Sequence, residues 1–338
     1  MKKILYIGNK LSKKGTTITS IETLGLFLQQ EGFEVVTVSS KKNKIFRMLD
    51  MIWNTVYHSK NTSVVLIDTY STTNFLYAVI IGSICRTFDL PYIPILRGGN
   101  LPSRLQKSKK QSSKLFGKAK TNVAPSFYLL EAFKNKGYTN LTYIPNTIEI
   151  NNYPFLLRKN IRPKLLWVRS FSKIYNPMLA LYVLEDLMKA GYEKAELCMI
   201  GPEKDDTFQA CKTYAEKNNL PVTFTGGLSK TEWIAQSKKY DIFINTTNVD
   251  NTPVSVIEAM ALGLPVISTS VGGVPFLIND GIDGLLVSTD NAELFSMKIK
   301  KILDNEVDYK EMSLNAREKV ENFDWNVVKE KWNVLLNS

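Results

Sequence analysis

The stretch richest in chemistry reads Asp250-Asn251-Thr252-Pro253-Val254-Ser255-Val256-Ile257-Glu258-Ala259-Met260-Ala261-Leu262-Gly263-Leu264-Pro265. Thr252 suits a helix cap and Pro253 its first turn, while Gly263 and Pro265 end the helix. From Val254 to Leu262 the only ionisable side chain is Glu258. A carboxylate in so apolar a helix is costly to bury without hydrogen-bond donors. Two hydroxyls of a ribose would supply them, making Glu258 a binding residue; backbone donors nearby would make it a structural one. The apolar run 242–244 predicts a strand just upstream, so the helix opens at the carboxyl end of a sheet. Its free N–H groups and dipole make a phosphate site there.

Arg169 follows the apolar run 165–168, and Lys173 stands four positions later. Read alone, Lys173 is a solvated lysine. Near the amino end, Gly8 to Thr17 joins a first strand to a first helix through ten residues. About 2–6 is usual, and long connections of this kind are often functional. Thr19-x-x-Glu22 has capping-box form. The loop lacks GxGxxG and Ser39-Ser40-Lys41 puts no acid after the second strand, which argues against NAD. Arg97-Gly98-Gly99-Asn100 follows a fourth strand, and Arg97 is expected to bring charge to the site. The single histidine, His58, reads as a surface residue. No Asp-x-Asp and no His/Cys cluster occurs, so no metal is expected to hold a diphosphate.

Short apolar runs at 4–7, 35–38, 64–67, 92–96, 122–124 and 141–144 alternate with helical patterns in the first half. Runs at 165–168, 197–200, 222–224, 242–244, 266–267 and 285–287 do so in the second. Continuous apolar runs belong to strands covered on both faces, so each half is predicted to be an α/β doubly wound parallel sheet. The expected division is residues 1–150, 151–321 and a crossover helix 322–338 packing back toward the first domain. Trp325, Val328, Trp332 and Leu335 give that helix one apolar face. Two such domains are expected to face a central cleft, where a ligand would bind.

Length and composition fit two soluble globular domains: 338 residues, 44% apolar and 22% charged. No leader peptide and no bilayer-long apolar run is visible, since ~20 residues would be needed. Three cysteines without CxxC spacing read as inert thiols in a reducing cytoplasm. Charge is uneven. Residues 1–150 hold 21 Lys/Arg against 8 Asp/Glu, while 151–338 hold 22 against 24. The densest stretch, 104–120, carries Arg104, Lys107, Lys109, Lys110, Lys114, Lys118 and Lys120 without an acid. It reads as a solvated face or as a patch for an anionic membrane, with Leu115 and Phe116 free to insert shallowly. With no RNA-binding signature or zinc finger, nucleic acid is not expected.

The segment from Asp250 resembles the donor-site signature of retaining GT-B glycosyltransferases of the GT4 class. There, two acids eight positions apart precede an E-A-M-A-x-G-x-P-V-I run. The match continues through Ser270-Val271-Gly272-Gly273-Val274-Pro275 and Asn279-Asp280-Gly281-Ile282-Asp283-Gly284. Met199-Ile200-Gly201-Pro202 and Val222-Thr223-Phe224-Thr225-Gly226 fit the family's nucleotide-side loops. The resemblance implies a nucleoside-diphosphate sugar as donor, with no cofactor beyond it. Glu258 would bind the donor ribose, and Asp250, one methylene shorter than the usual Glu, the transferred sugar. Asn251, Thr252, Pro253, Val254 and Ser255 would cradle the diphosphate. Arg169 and Lys173 would neutralise the leaving group, though the family's spacing has one more residue and a Gly after the Lys. Gly15 and Thr16 would approach the phosphates and the acceptor. Many relatives carry a His where Arg97 stands, so a histidine base is not expected.

By the same resemblance the two acids lie on the nucleotide side and do not form a glycosidase pair. The acceptor would be a glycan or lipid-linked glycan at the cytoplasmic face of the plasma membrane, in surface-polysaccharide synthesis. Two other classes stay open. A sugar-nucleotide epimerase of this fold needs added acid/base residues, and none stands out. A non-catalytic module binding anions through its basic half would leave Glu258 and Arg169 dispensable.

Overall fold

The computed structural model describes residues 2–11 and 19–338; Gly15 and Thr16 lie outside them. Among the described residues, twelve strands form two six-stranded parallel sheets, at the positions the apolar runs predict. The chain divides into two compact units, Met1–Asn146 with Trp325–Ser338, and Thr147–Asp324. Thr147 to Ile150 therefore belong with the second unit, and the expected seam moves four residues upstream.

In the first unit the strands are β1 (Lys3–Ile7), β2 (Glu34–Val38), β3 (Val64–Thr69), β4 (Tyr92–Leu96), β5 (Asn122–Ala124) and β6 (Leu141–Tyr143). They lie in the order β2-β1-β3-β4-β5-β6. The helices are α1 (Ser20–Gln30), α2 (Lys44–Tyr57), α3 (Asn74–Thr87), α4 (Leu101–Lys107), α5 (Lys109–Phe116) and α6 (Phe127–Lys134). Alternate residues of each strand face opposite ways, and both faces are covered. Leu5 and Ile7 pack with Phe75, Leu115, Phe116 and Phe133, while Ile4 and Tyr6 pack with Leu28, Trp325 and Val328. The terminal helix Trp325–Asn337 thus belongs to this unit, with Trp325 stacked on Phe27 at 4.8 Å. Thr19 caps α1 as its spacing predicts, its amide donating to the Glu22 carboxylate at 3.0 Å.

One expectation fails here. Leu101, Leu105, Leu115 and Phe116 are buried in the unit's core, so Leu115 and Phe116 are not free to enter a membrane. They fall on the inner faces of α4 and α5, and each such side chain contributes about 1.5–3 kcal/mol by staying there. Lys107, Lys109, Lys110, Lys114, Lys118 and Lys120 remain exposed. Arg104 is instead held by the Ser71 carbonyl at 3.0 Å and lies over the Phe75 ring.

The second unit holds β7 (Lys164–Val168), β8 (Glu196–Ile200), β9 (Val222–Gly226), β10 (Ile242–Asn245), β11 (Val266–Thr269) and β12 (Leu285–Val287). Their order is β12-β11-β10-β7-β8-β9. Helices α7 (Pro177–Lys189), α8 (Thr207–Lys217), α9 (Lys230–Ser237), α10 (Val254–Ala261), α11 (Val274–Leu277), α12 (Ala292–Leu303) and α13 (Tyr309–Glu321) complete it. α7 and α12 bury Leu181, Leu184 and Phe295 on one face; α10 buries Val256, Ile257 and Met260 on the other. From β7 the chain winds to β8 and β9 on one side, then returns to β10 on the other. That reversal is the topological switch point, where doubly wound sheets open a crevice at their carboxyl ends. Among the described residues no helix is long and apolar enough to cross a membrane.

Candidate functional site

Arg169 leaves β7 at the switch point, its amide bonded to the Ile200 carbonyl at 3.0 Å. The neighbouring loop comes so close that a Cβ on Gly201 would sit 1.7 Å from the Arg169 carbonyl oxygen. Only glycine fits. Gly226, at φ +71°, accepts the Gly201 amide at 2.9 Å and completes this turn. The Arg169 guanidinium is largely buried, lies 4.6 Å from the Tyr175 ring centroid and pairs with the Asp250 carboxylate. Burial pushes its pKa down, and Tyr175 and Glu258 offset part of that. So placed, it has unmet donor capacity: Nε has no hydrogen-bond partner among the described residues.

Asp250 and Asn251 follow β10, held against a second tight turn. Cβ atoms on Gly272 and Gly273 would meet the Asp250 and Asn251 carbonyl oxygens at 2.1 and 1.6 Å, and the Gly273 amide donates to the Asp250 carbonyl at 3.1 Å. The cap of α10 is Pro253, with no side-chain bond, rather than Thr252; proline, lacking an N–H, loses nothing there. The Val256 and Ile257 amides turn back to the Pro253 carbonyl, which leaves the Val254 and Ser255 amides at the open end. The Ser255 hydroxyl is buried without a partner among the described residues. Residues Ser255 to Ala261 are all buried, which explains why this helix tolerates no polar face. At its other end Arg158 and Arg317 donate to the Leu262 and Ala261 carbonyls at 2.8 Å each, cations where the dipole favours them.

Glu258 is buried, and its partners are side chains. The Tyr153 hydroxyl donates to Oε1 at 2.7 Å, and the Lys230 ammonium pairs with the same oxygen. Burial, and then the Glu258 charge, push the Tyr153 hydroxyl pKa upward. Among the described residues both of these partners sit on Oε1 and none on Oε2.

The structure therefore gathers Arg169, Gly201, Asp250, Asn251, Thr252, Pro253, Val254, Ser255 and Glu258 at one switch point, with Gly226 supporting it. Lys173 does not join them. It stands exposed on the 3-10 turn Lys173–Tyr175, its ammonium 3.0 Å from Asp206. Arg97 is a second correction. It lies in the first unit, where all its guanidinium nitrogens are taken: Nε by Asp68 at 3.0 Å, Nη1 by Asn146 at 2.8 Å and Nη2 by Tyr6 at 3.2 Å. Its charge is spent on a buried acid. Sequence reading missed Lys230 and Tyr153. The capping box Ser229-x-x-Glu232 could have flagged Lys230, since it puts that lysine on the first turn of α9 beside β9. Nothing local marked Tyr153.

Residues 152–319 match the family model described as Glycosyl transferases group 1. The sulfoquinovosyl transferase SQD2 of Arabidopsis thaliana is 28% identical over 148 residues, 41% of this chain and 28% of its own. An N,N'-diacetylbacillosaminyl-diphospho-undecaprenol alpha-1,3-N-acetylgalactosaminyltransferase of Campylobacter jejuni is 26% identical over 140 residues, 41% of this chain and 36% of its own. The chain thus spans about a third of the length of these curated relatives. Among solved structures, the Anabaena protein Alr3699/HepE in complex with UDP-glucose superposes with a TM-score of 0.78 at 14% identity, over 100% of both chains. Sucrose-phosphate synthase from Thermosynechococcus elongatus does so with 0.80 at 16%, over 100% of this chain and 98% of that one. By that match the second unit carries a glycosyl transferases group 1 domain, and the chain as a whole has the GT-B pattern of two Rossmann-like units.

Proposed function

We propose that the switch point between β7 and β10 binds the nucleoside diphosphate of a sugar donor, and that the chain transfers the sugar to a glycan or lipid-linked acceptor with retention. One observation carries the reading: a buried arginine, an unpartnered serine hydroxyl, an open helix amino end and a half-free carboxylate meet at that point. An anion with hydroxyls beside it satisfies all four. The Val254 and Ser255 amides and the Ser255 hydroxyl would hold the diphosphate, and Glu258 Oε2 would accept from the ribose. Arg169 would exchange Asp250 for phosphate oxygen as charge builds there, which favours the transition state over the bound ground state. Asp250, so released, would take a hydroxyl of the sugar.

In the reaction the bond from the sugar's anomeric carbon to phosphate breaks, and a bond to the acceptor oxygen forms on the same face. The acceptor's proton passes to the departing phosphate. The donor is substrate, no further cofactor is needed, and Arg169 with the amides takes the part a divalent ion would otherwise play. A UDP-sugar is the first donor to try, since the Anabaena relative's structure holds UDP-glucose. A lipid-linked acceptor is the first to try, since the Campylobacter enzyme's name gives a diphospho-undecaprenol glycan as what it acts on. The test is release of nucleoside diphosphate from a panel of UDP-, GDP- and ADP-sugars, with and without lipid-linked glycans, and the product's anomeric configuration by NMR. An inverted product would overturn the mechanism, and isomerised donor without transfer would make the chain an epimerase.

A further inference from the structure

Among the described residues of the first unit, α2 carries half of the large apolar side chains left exposed. Ile45, Phe46, Trp53 and Tyr57 are 67%, 64%, 68% and 70% exposed, and Leu49 lies between them. At positions 45/46, 49, 53 and 56/57 they form one helical stripe, with Val56 completing it. The inner side of the same helix is anchored: Met51 and Thr55 are buried, and Tyr77 donates to the Lys44 carbonyl at 3.1 Å. The stripe is thus a rigid feature. A contiguous apolar patch left open to water marks an interaction surface.

Charge says with what. Lys41, Lys42, Lys44 and Lys60 flank the stripe, all exposed, and the only acid from 35 to 67 is Asp50, which bonds Ser39. Arg47 is turned inward, donating to the Lys41 and Lys42 carbonyls at 2.8 Å each, so it holds the lysine loop against the helix. Lys41 and Lys42 share a groove with Phe46, Leu49 and Trp53. α2 packs on α3 and α3 on α5, so the free lysines of α4 and α5 belong to the same layer. A second copy of the chain would set these lysines against their own twins across a two-fold axis. An anionic bilayer would neutralise them, while Trp and Tyr sit at the headgroup level.

We propose that α2 is the chain's docking element for an anionic lipid surface, with Ile45, Phe46, Leu49 and Trp53 entering the interface and Lys41, Lys42 and Lys44 meeting phosphate. This goes beyond the donor-site reading and does not depend on it, because vesicle binding needs neither donor nor acceptor. Trp167, Trp233, Trp325 and Trp332 are buried, so tryptophan fluorescence on adding vesicles reports Trp53. The full chain should bind vesicles of equal parts phosphatidylcholine and phosphatidylglycerol, with a blue shift, and bind phosphatidylcholine alone far more weakly. The variant Lys41→Ala/Lys42→Ala/Lys44→Ala should lose about a hundredfold in affinity at low salt. The double variant Phe46→Ser/Trp53→Ser, read by sedimentation, should lose at least about tenfold with an unchanged melting temperature, since both side chains are already in water. Equal sedimentation of that double variant would overturn the proposal. So would loss of binding only when Lys109, Lys110 and Lys114 are changed, or a lipid-free dimer that the Phe46/Trp53 changes dissolve.

Discussion

Changing Glu258 to Gln removes one negative charge from a buried position and keeps its shape. The amide oxygen can still accept from the Tyr153 hydroxyl, now 2.7 Å from Oε1. Lys230 loses its counter-charge, but half its side chain is already in water and it can turn outward. The fold should therefore lose only about 1 kcal/mol, the difference between a charge-assisted and a neutral hydrogen bond. The donor should lose more. Bonds from ribose hydroxyls to a carboxylate contribute roughly 1.5–3 kcal/mol each, against roughly 0.5–1.5 for neutral ones. Over two hydroxyls the deficit is roughly 2–3 kcal/mol, or about 30- to 150-fold in dissociation constant. Calorimetric titration with the cognate donor measures it, and a melting curve checks the fold. Unchanged affinity in a folded variant would refute the ribose role and leave Glu258 as a partner of Tyr153 and Lys230 only.

Arg169→Ala should lower turnover more than donor affinity, since its charge matters most as the diphosphate leaves; a rise in KM alone would contradict that. The same change strands the Asp250 carboxylate in a buried place, costing roughly 3–5 kcal/mol of stability, and Arg169→Ala/Asp250→Asn should regain part of it in a melting experiment. Lys173→Ala should leave stability within about 0.5 kcal/mol and kcat/KM near wild type, because that lysine pairs only with Asp206 at the surface; a large fall in kcat would return it to the site. Gly201→Ala puts a methyl carbon into the Arg169 carbonyl and should destabilise the second unit by more than about 3 kcal/mol while parting β7 from β8; a normal melt would show that the two loops have room to move.

Most of the fold was legible because parallel strands buried on both faces leave unbroken apolar runs, such as Leu165 to Val168 and Ile242 to Ile244. Glu258 stood out too, since a single acid in an apolar helix is a chemical anomaly visible without coordinates, and the structure does bury it. What stayed hidden depends on contacts distant in sequence. Tyr153 lies just past the expected boundary at residue 150, where nothing local marks it, yet its hydroxyl reaches Glu258, and Arg158, five residues on, caps the end of α10. Arg97 looked free because its partners, Tyr6, Asp68 and Asn146, come from three separate parts of the chain. Leu115 and Phe116 were misread because cations dominate their surroundings; helical spacing turns the lysines outward and those two inward. The stripe on α2 was passed over because Ile45, Phe46, Leu49 and Trp53 have the spacing of any packing face, and only the three-dimensional fold leaves that face uncovered.

The central claim is that the open end of α10, with Arg169 and Ser255, holds a nucleoside diphosphate without help from a divalent ion. Calorimetric titration of UDP, GDP and ADP into the full chain in EDTA tests it, with Ser255→Ala/Arg169→Ala as control. The account predicts that one nucleotide saturates a single site in EDTA and that the double variant abolishes the binding. Absence of binding by all three, or binding that appears only with magnesium or manganese and survives the double variant, would contradict it.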